Sequence, residues 1–167
     1  ATDTYSVPPQ IIWVDNSTIA TLGNFSASTG KAKAKKTFNV SALVAASLSN
    51  GTVLNYRACL PEGKRRILYV DTEQSRYHCH NVLARILKLA GLPTDMDNQN
   101  LDFIGLREYT PAIRMEVIDY ALAHNHGYGL VIIDGIRDGH RNMTFISTAS
   151  FIKTRETIMC EDISERK

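Results

Sequence analysis

Gly30-Lys31-Ala32-Lys33-Ala34-Lys35-Lys36-Thr37 lies between a Ser/Thr/Asn-rich approach and an apolar, alanine-rich run that continues to Ser49. Set against the phosphate-binding pattern G-x-x-x-x-G-K-[ST], it matches at Gly30, Lys36 and Thr37 and carries Lys35 where the pattern has its second glycine. A loop of this kind works because successive backbone N–H groups point at anionic oxygens while the following helix adds its own unpaired N–H groups and positive dipole end. In that role Lys36 would reach the terminal phosphates and the Thr37 hydroxyl would ligate Mg²⁺. A side chain at position 35 fits such a loop only with negative φ, since positive φ penalises a Cβ. The earlier Gly23 is too far from Gly30-Lys31 to complete the pattern, and Ala32 stands where a hydroxyl is needed. The other reading is a solvated basic turn before a helix, because Lys31, Lys33, Lys35 and Lys36 are clustered charges.

Working outward, residues 1–28 read as an entry arm with Pro8-Pro9, then a short hairpin: Ile11 to Val14, a turn at Asp15-Asn16-Ser17, and Thr18 to Leu22. Trp13 reads as a packing residue. The nearly continuous apolar positions from Thr37 to Ser49 predict a helix buried on most sides and ended by Asn50-Gly51. Val53 to Cys59 fits a short strand, and Pro61-Glu62-Gly63-Lys64 a turn. Ile67-Leu68-Tyr69-Val70-Asp71-Thr72-Glu73 is an apolar run ending on acidic residues, as expected of a parallel strand buried on both faces whose carboxylates emerge at the edge where ligands bind. The stripe Tyr77, Val82, Leu83, Ile86, Leu87, Ala90 predicts an amphipathic helix closed by Gly91 and Pro93. A strand at Leu101 to Leu106 and a helix opening on Thr110-Pro111 and running to about Ala123 follow.

The chain has 167 residues and a mass of 18.6 kDa, enough for one domain with a core. Its net charge of +2 permits a nucleic-acid partner without arguing for one. Cys59, Cys79 and Cys160 are odd in number and widely spaced, so they read as reduced thiols of a cytoplasmic protein. The pairs His78/His80 and His124/His126 stand two residues apart, do not share a helix face, and argue against a metal site. No apolar run approaches membrane-spanning length, and no leader-like segment opens the chain. Because it begins with Ala1, a piece is expected to precede it.

Leu130-Val131-Ile132-Ile133-Asp134-Gly135 supplies four aliphatic residues and then an aspartate. Downstream of a phosphate loop, this has the form of the second nucleotide-site element, with Asp134 holding Mg²⁺ through water. A Lys-Thr loop, a strand ending in Glu73 and a strand ending in Asp134, each followed by a helix or turn, form the sequence of a right-handed βαβ series. Glu73, at the edge beside the loop, can orient a water in line with a terminal phosphate; its alternative role is to favour the next helix's N-terminus.

Thr21 to Ser26, Gly30 to Phe38, Leu68 to His78 and Leu130 to Asp138 resemble RecA-type P-loop ATPases. The branch they are most similar to is the RepA-like, hexameric-helicase-related ATPases of bacterial mobilisable transposons and plasmids. The resemblance implies an α/β, three-layer RecA-like P-loop fold with a mostly parallel central sheet. Its core would span 29–138, and 139–167 would supply closing strands of the same domain. It further implies an ATP and Mg²⁺ site lined by Gly30, Lys31, Ala32, Lys33, Ala34, Lys35, Lys36, Thr37 and Phe38. Lys36 would contact phosphate, Thr37 and Asp134 would serve the metal, and Glu73 would polarise the attacking water. The implied activity is ATP hydrolysis by a homo-oligomer, hexameric in the helicase-like case. It would act on DNA, single-stranded by preference, in replication, mobilisation or transposition of a mobile element. After Asp138 the resemblance stops: a segment expected before Thr144 to Ile152 and Lys153 to Glu156 does not appear, either because the gene lacks it or, the favoured reading, because the sequence as given leaves it out. Neither Arg137 nor Arg155 is assigned to a neighbouring subunit's nucleotide. A nucleotide-binding switch or scaffold with little hydrolysis is the alternative. A small-molecule kinase lacks an arginine-rich lid here.

Overall fold

The computed structural model describes residues 7–30, 35–138 and 141–148. In chain order the elements are β1 (Gln10–Val14), β2 (Ser17–Thr21), β3 (Phe25–Gly30), α1 (Lys36–Ser49), β4 (Thr52–Val53), β5 (Tyr56–Ala58), β6 (Arg66–Asp71), α2 (Arg76–Leu89), β7 (Leu101–Gly105), α3 (Pro111–His124), β8 (Tyr128–Asp138) and β9 (Arg141–Thr148).

Local chemistry accounts for most of these boundaries. In α1 every residue from Val40 to Ser47 is buried, as its unbroken apolar run requires. Asn50 ends it in the left-handed conformation, its N–H donating to the Ala46 and Ser47 carbonyls. α3 opens on Thr110, whose hydroxyl accepts the Ile113 N–H, and on Pro111, whose fixed φ suits the first helical position. The β1–β2 hairpin forms around Asp15-Asn16, and Trp13 packs beneath the Arg57 guanidinium, 3.9 Å from its ring centroid.

The strands form two sheets, ordered β2-β1-β5-β4 and β3-β9-β8-β6-β7. Every ladder in the smaller sheet is antiparallel. In the larger sheet β6 runs parallel to β7 and β8, while β9 is antiparallel to both β8 and β3. This overturns the expected three-layer RecA-like fold with a mostly parallel sheet: the chain is a small α/β structure whose ladders are mostly antiparallel. The reason lies between β8 and β9. Only Gly139 and His140 separate them in sequence, whereas a parallel return needs a crossover of roughly a dozen residues or more. β9 therefore turns straight back along β8 and carries β3 on its far side. The closing-strand reading beyond Thr148 lies outside the described residues.

Helices cover both faces of the larger sheet. β6 sends Ile67 and Tyr69 into a cluster with α1 and α2, and Leu68 and Val70 into a second cluster with α3. All four are fully buried, each side chain contributing about 1.5–3 kcal/mol of transfer free energy. A strand buried on both faces reads as a continuous apolar run, as β6 does. Among the described residues no helix is long and apolar enough to cross a membrane.

Candidate functional site

β9 is antiparallel to both β3 and β8, so β3, β8 and β6 point the same way and their C-terminal ends gather on one edge. The ladder register sets a rank across that edge: Ser28 pairs with Thr144, Thr144 with Asp134, Asp134 with Asp71, and Asp71 with Gly105. The Gly30–Thr37 stretch leaves β3 just beyond this rank and returns as α1. Gly30 is the last residue of β3, and Lys31 to Ala34 lie outside the described residues.

Two residues expected from the sequence to act together do meet. The Lys36 ammonium is 3.4 Å from Asp134 Oδ1, with side chains only 13% and 6% exposed. Asp134 is held from two further sides, Oδ1 accepting the Thr144 hydroxyl at 2.6 Å and Oδ2 accepting the Tyr69 hydroxyl at 3.2 Å. Burial, then the charges of Asp134 and Asp71, push the Tyr69 phenol well above its ordinary pKa, so it remains a donor. Lys36 Nζ is itself buried and makes no hydrogen bond among the described residues. Thr37 and Phe38 occupy the first turn of α1, which has no side-chain cap and no acidic residue in that turn. The helix dipole leaves a positive end beside the Lys36 ammonium.

The condition set for position 35 is not met. Lys35 has φ 55° and ψ 20°, the left-handed conformation that the missing glycine would adopt without strain. Its carbonyl still accepts the Phe38 and Asn39 N–H groups and starts the helix. A non-glycine residue in this region costs roughly 1–2 kcal/mol. Replacing Lys35 with glycine is therefore expected to raise unfolding free energy by about 1 kcal/mol, part of the relief being offset by glycine's greater freedom in the unfolded chain. A urea titration of both proteins checks this; equal midpoints would show that position 35 carries no strain.

Glu73 is placed by a turn that the sequence reading did not assign to any residue. Asp71 is fully buried at the end of β6, and its Oδ1 accepts the Glu73 and Gln74 N–H groups at 2.9 and 2.7 Å. Its Oδ2 accepts the Gln74 side-chain amide at 2.8 Å. From the other side, Thr72 N–H donates to the Asp134 carbonyl at 2.9 Å, tying the turn to β8. Gly135 makes the approach possible: its φ is +98°, and a Cβ there would stand 2.8 Å from both Glu73 Cβ and Thr72 Oγ1. The signal for Asp71 was present, since an aspartate at a strand end readily bonds backbone N–H groups two and three residues on. Thr144 had no such signal, its place beside Asp134 being a product of the β8–β9 register.

Burial raises the Asp71 pKa, opposed by the hydrogen bonds from Gln74 and Glu73. A folded pKa above the unfolded value gives stability that is fully present below the unfolded pKa and lost as pH rises through the folded one. Asp71→Asn keeps an acceptor for the two N–H groups and removes the buried charge. Its stability relative to wild type is expected to improve as pH rises above about 4; a constant difference from acid to neutral pH would sink this assignment.

Cys79 is buried, and its thiol is pushed up to about 11, chiefly by desolvation and then by Asp71, so it is poorly nucleophilic. Cys160 lies outside the described residues. Among the described residues no three His, Cys, Asp or Glu side chains converge as a metal cluster. His78 Nδ1 pairs with the Ser75 hydroxyl and His124 Nδ1 with the Tyr120 carbonyl.

Comparison with protein-family models, with curated proteins and with solved structures gave no match.

Proposed function

We propose that the chain binds a nucleoside triphosphate, ATP with Mg²⁺, at this edge of the larger sheet and hydrolyses it to drive work on DNA. The DNA part of the reading rests on the resemblance to RecA-type P-loop ATPases. The nucleotide part is carried by one observation: the Lys36 ammonium is buried, makes no hydrogen bond among the described residues, and stands at the uncapped start of α1. The Asp134 carboxylate 3.4 Å away offsets the ammonium's charge but leaves its N–H groups without a hydrogen bond among the described residues, and a phosphate oxygen is an acceptor that a helix N-terminus also favours. In this role Lys36 and the first N–H groups of α1 hold phosphate. Thr37 and Asp134 offer the oxygen donors that suit Mg²⁺, which when bound neutralises charge developing on phosphate oxygens. Glu73, set by the Asp71 turn and the close approach at Gly135, orients the attacking water.

The switch reading has its own support. Asp134 already accepts two hydroxyls and faces Lys36, so a metal there competes with three protein groups. ATP turnover measured with and without single-stranded DNA, beside direct titration of nucleotide binding, separates the readings. Turnover that rises with DNA supports the motor. Tight binding without turnover moves the assignment to the switch. Phosphate transfer to a metabolite makes the protein a kinase, and absence of binding at millimolar ATP removes the nucleotide site altogether.

A further inference from the structure

Among the described residues β7 is an edge strand of the larger sheet, and its open side is the floor of a groove. In a parallel ladder alternate residues bond to the neighbour. The bonds from Ile67 N–H to the Asn100 carbonyl and from Leu106 N–H to the Asp71 carbonyl set that alternation. Asp102 and Ile104 thus turn their main-chain groups to β6, while Phe103 turns its N–H and C=O outward. An outward-facing strand of this kind is a template for another strand.

The groove around this edge has a volume of about 1170 Å³. One wall is α2, with Leu83 and Leu87; the other is α3, with Val117 and Ala121. These helices lie on opposite faces of the sheet, so an added strand would find an apolar wall for the side chains on each of its faces. The volume exceeds the roughly 300–1,000 Å³ of ordinary small-molecule pockets, which favours a peptide. The lining includes Asp95, Asp97 and Asp102 and no lysine or arginine. Asp102 is paired with Arg66 at 2.7 Å, whereas Asp95 and Asp97 lie exposed on the α2–β7 loop.

We propose that this groove takes an extended, apolar segment of a partner protein with a basic residue at one end, which joins β7 as a sixth strand and sets its cation against Asp95 and Asp97. The mode is strand addition, with main-chain bonds to Phe103 giving affinity and the helix walls and aspartates giving selectivity.

The test follows the amide exchange of Phe103 by NMR in the full chain, titrated with acetyl-Lys-Val-Ile-Val-Thr-Val-amide. Saturable binding is expected, with Phe103 exchange slowed about tenfold or more at saturation. N-methylation of alternate peptide amides should abolish binding in one phase and spare it in the other, as only one phase faces β7. The double variant Asp95→Asn, Asp97→Asn should weaken binding about threefold or more at low salt. Lack of saturable binding, or binding that leaves Phe103 exchange unchanged, overturns the proposal. So does Phe103 protection in the free protein that grows with protein concentration, which would give the groove to a second copy. None of these outcomes depends on nucleotide.

Discussion

Lys36→Met is expected to weaken binding of ATP with Mg²⁺ about a hundredfold or more and to abolish turnover, because it removes a charge-assisted contact from a buried anion site. The same change should lower unfolding free energy by about 1–3 kcal/mol, since Asp134 would stay buried without the cation 3.4 Å away. The two effects come apart in the double variant. Adding Asp134→Asn removes the uncompensated charge, and the amide can still serve the Thr144 and Tyr69 hydroxyls. The double variant should regain most of the stability and none of the nucleotide binding. Titration calorimetry with nucleotide and urea unfolding of the three proteins read both quantities. If Lys36→Met bound ATP like wild type, the ammonium would be a partner of Asp134 only, and the phosphate-loop reading of Gly30 to Thr37 would be lost.

Gly135→Ala is expected to damage both stability and turnover. At φ +98° any side chain is strained, and here the added carbon would also lie 2.8 Å from Glu73 Cβ and Thr72 Oγ1. Stability should fall by about 2–4 kcal/mol, the range for a strained backbone combined with overpacking. The displaced group is the turn that presents Glu73, while Lys36 and the start of α1 stand on other elements. Turnover should therefore fall much further than nucleotide affinity, a split between kcat and binding that general unfolding would not produce. Thermal unfolding together with kcat and nucleotide Kd, measured below the variant's melting temperature, decides it; equal losses in both would remove Glu73 from the chemistry.

Much of the candidate site was legible from residues alone. A Lys-Thr pair before an apolar helix, and an aspartate closing an aliphatic strand, carry local signatures, and the fold brings Lys36 and Asp134 to 3.4 Å. Position 35 does not meet the negative-φ condition set for a side chain there. The template glycine marks a left-handed backbone, and the structure keeps that backbone with lysine in place. Asp71 was passed over in favour of Glu73 because both end the same run, and only the hydrogen bonds show that one anchors the turn and the other is presented by it. Thr144 and Tyr69 join Asp134 through cross-strand register, which no short-range pattern encodes.

By itself the sequence determined many of the elements, although β3 carried no local signal and the β4–β5 hairpin read as one strand. Apolar period and run length placed the helices and β6, Asn50 ended α1, and Thr110-Pro111 started α3. These depend on interactions within a few residues, which composition and spacing record. Strand direction was decided only in the tertiary structure. A series of βα units suggests a parallel sheet, but the direction of β9 depends on how much chain is available to cross back. With two residues after Asp138 it reverses, making most ladders antiparallel and placing Thr144 beside Asp134. Pairing between distant strands is set by global packing and by the length of the connections, so the sheet's order and the partners of its buried carboxylates emerged only there.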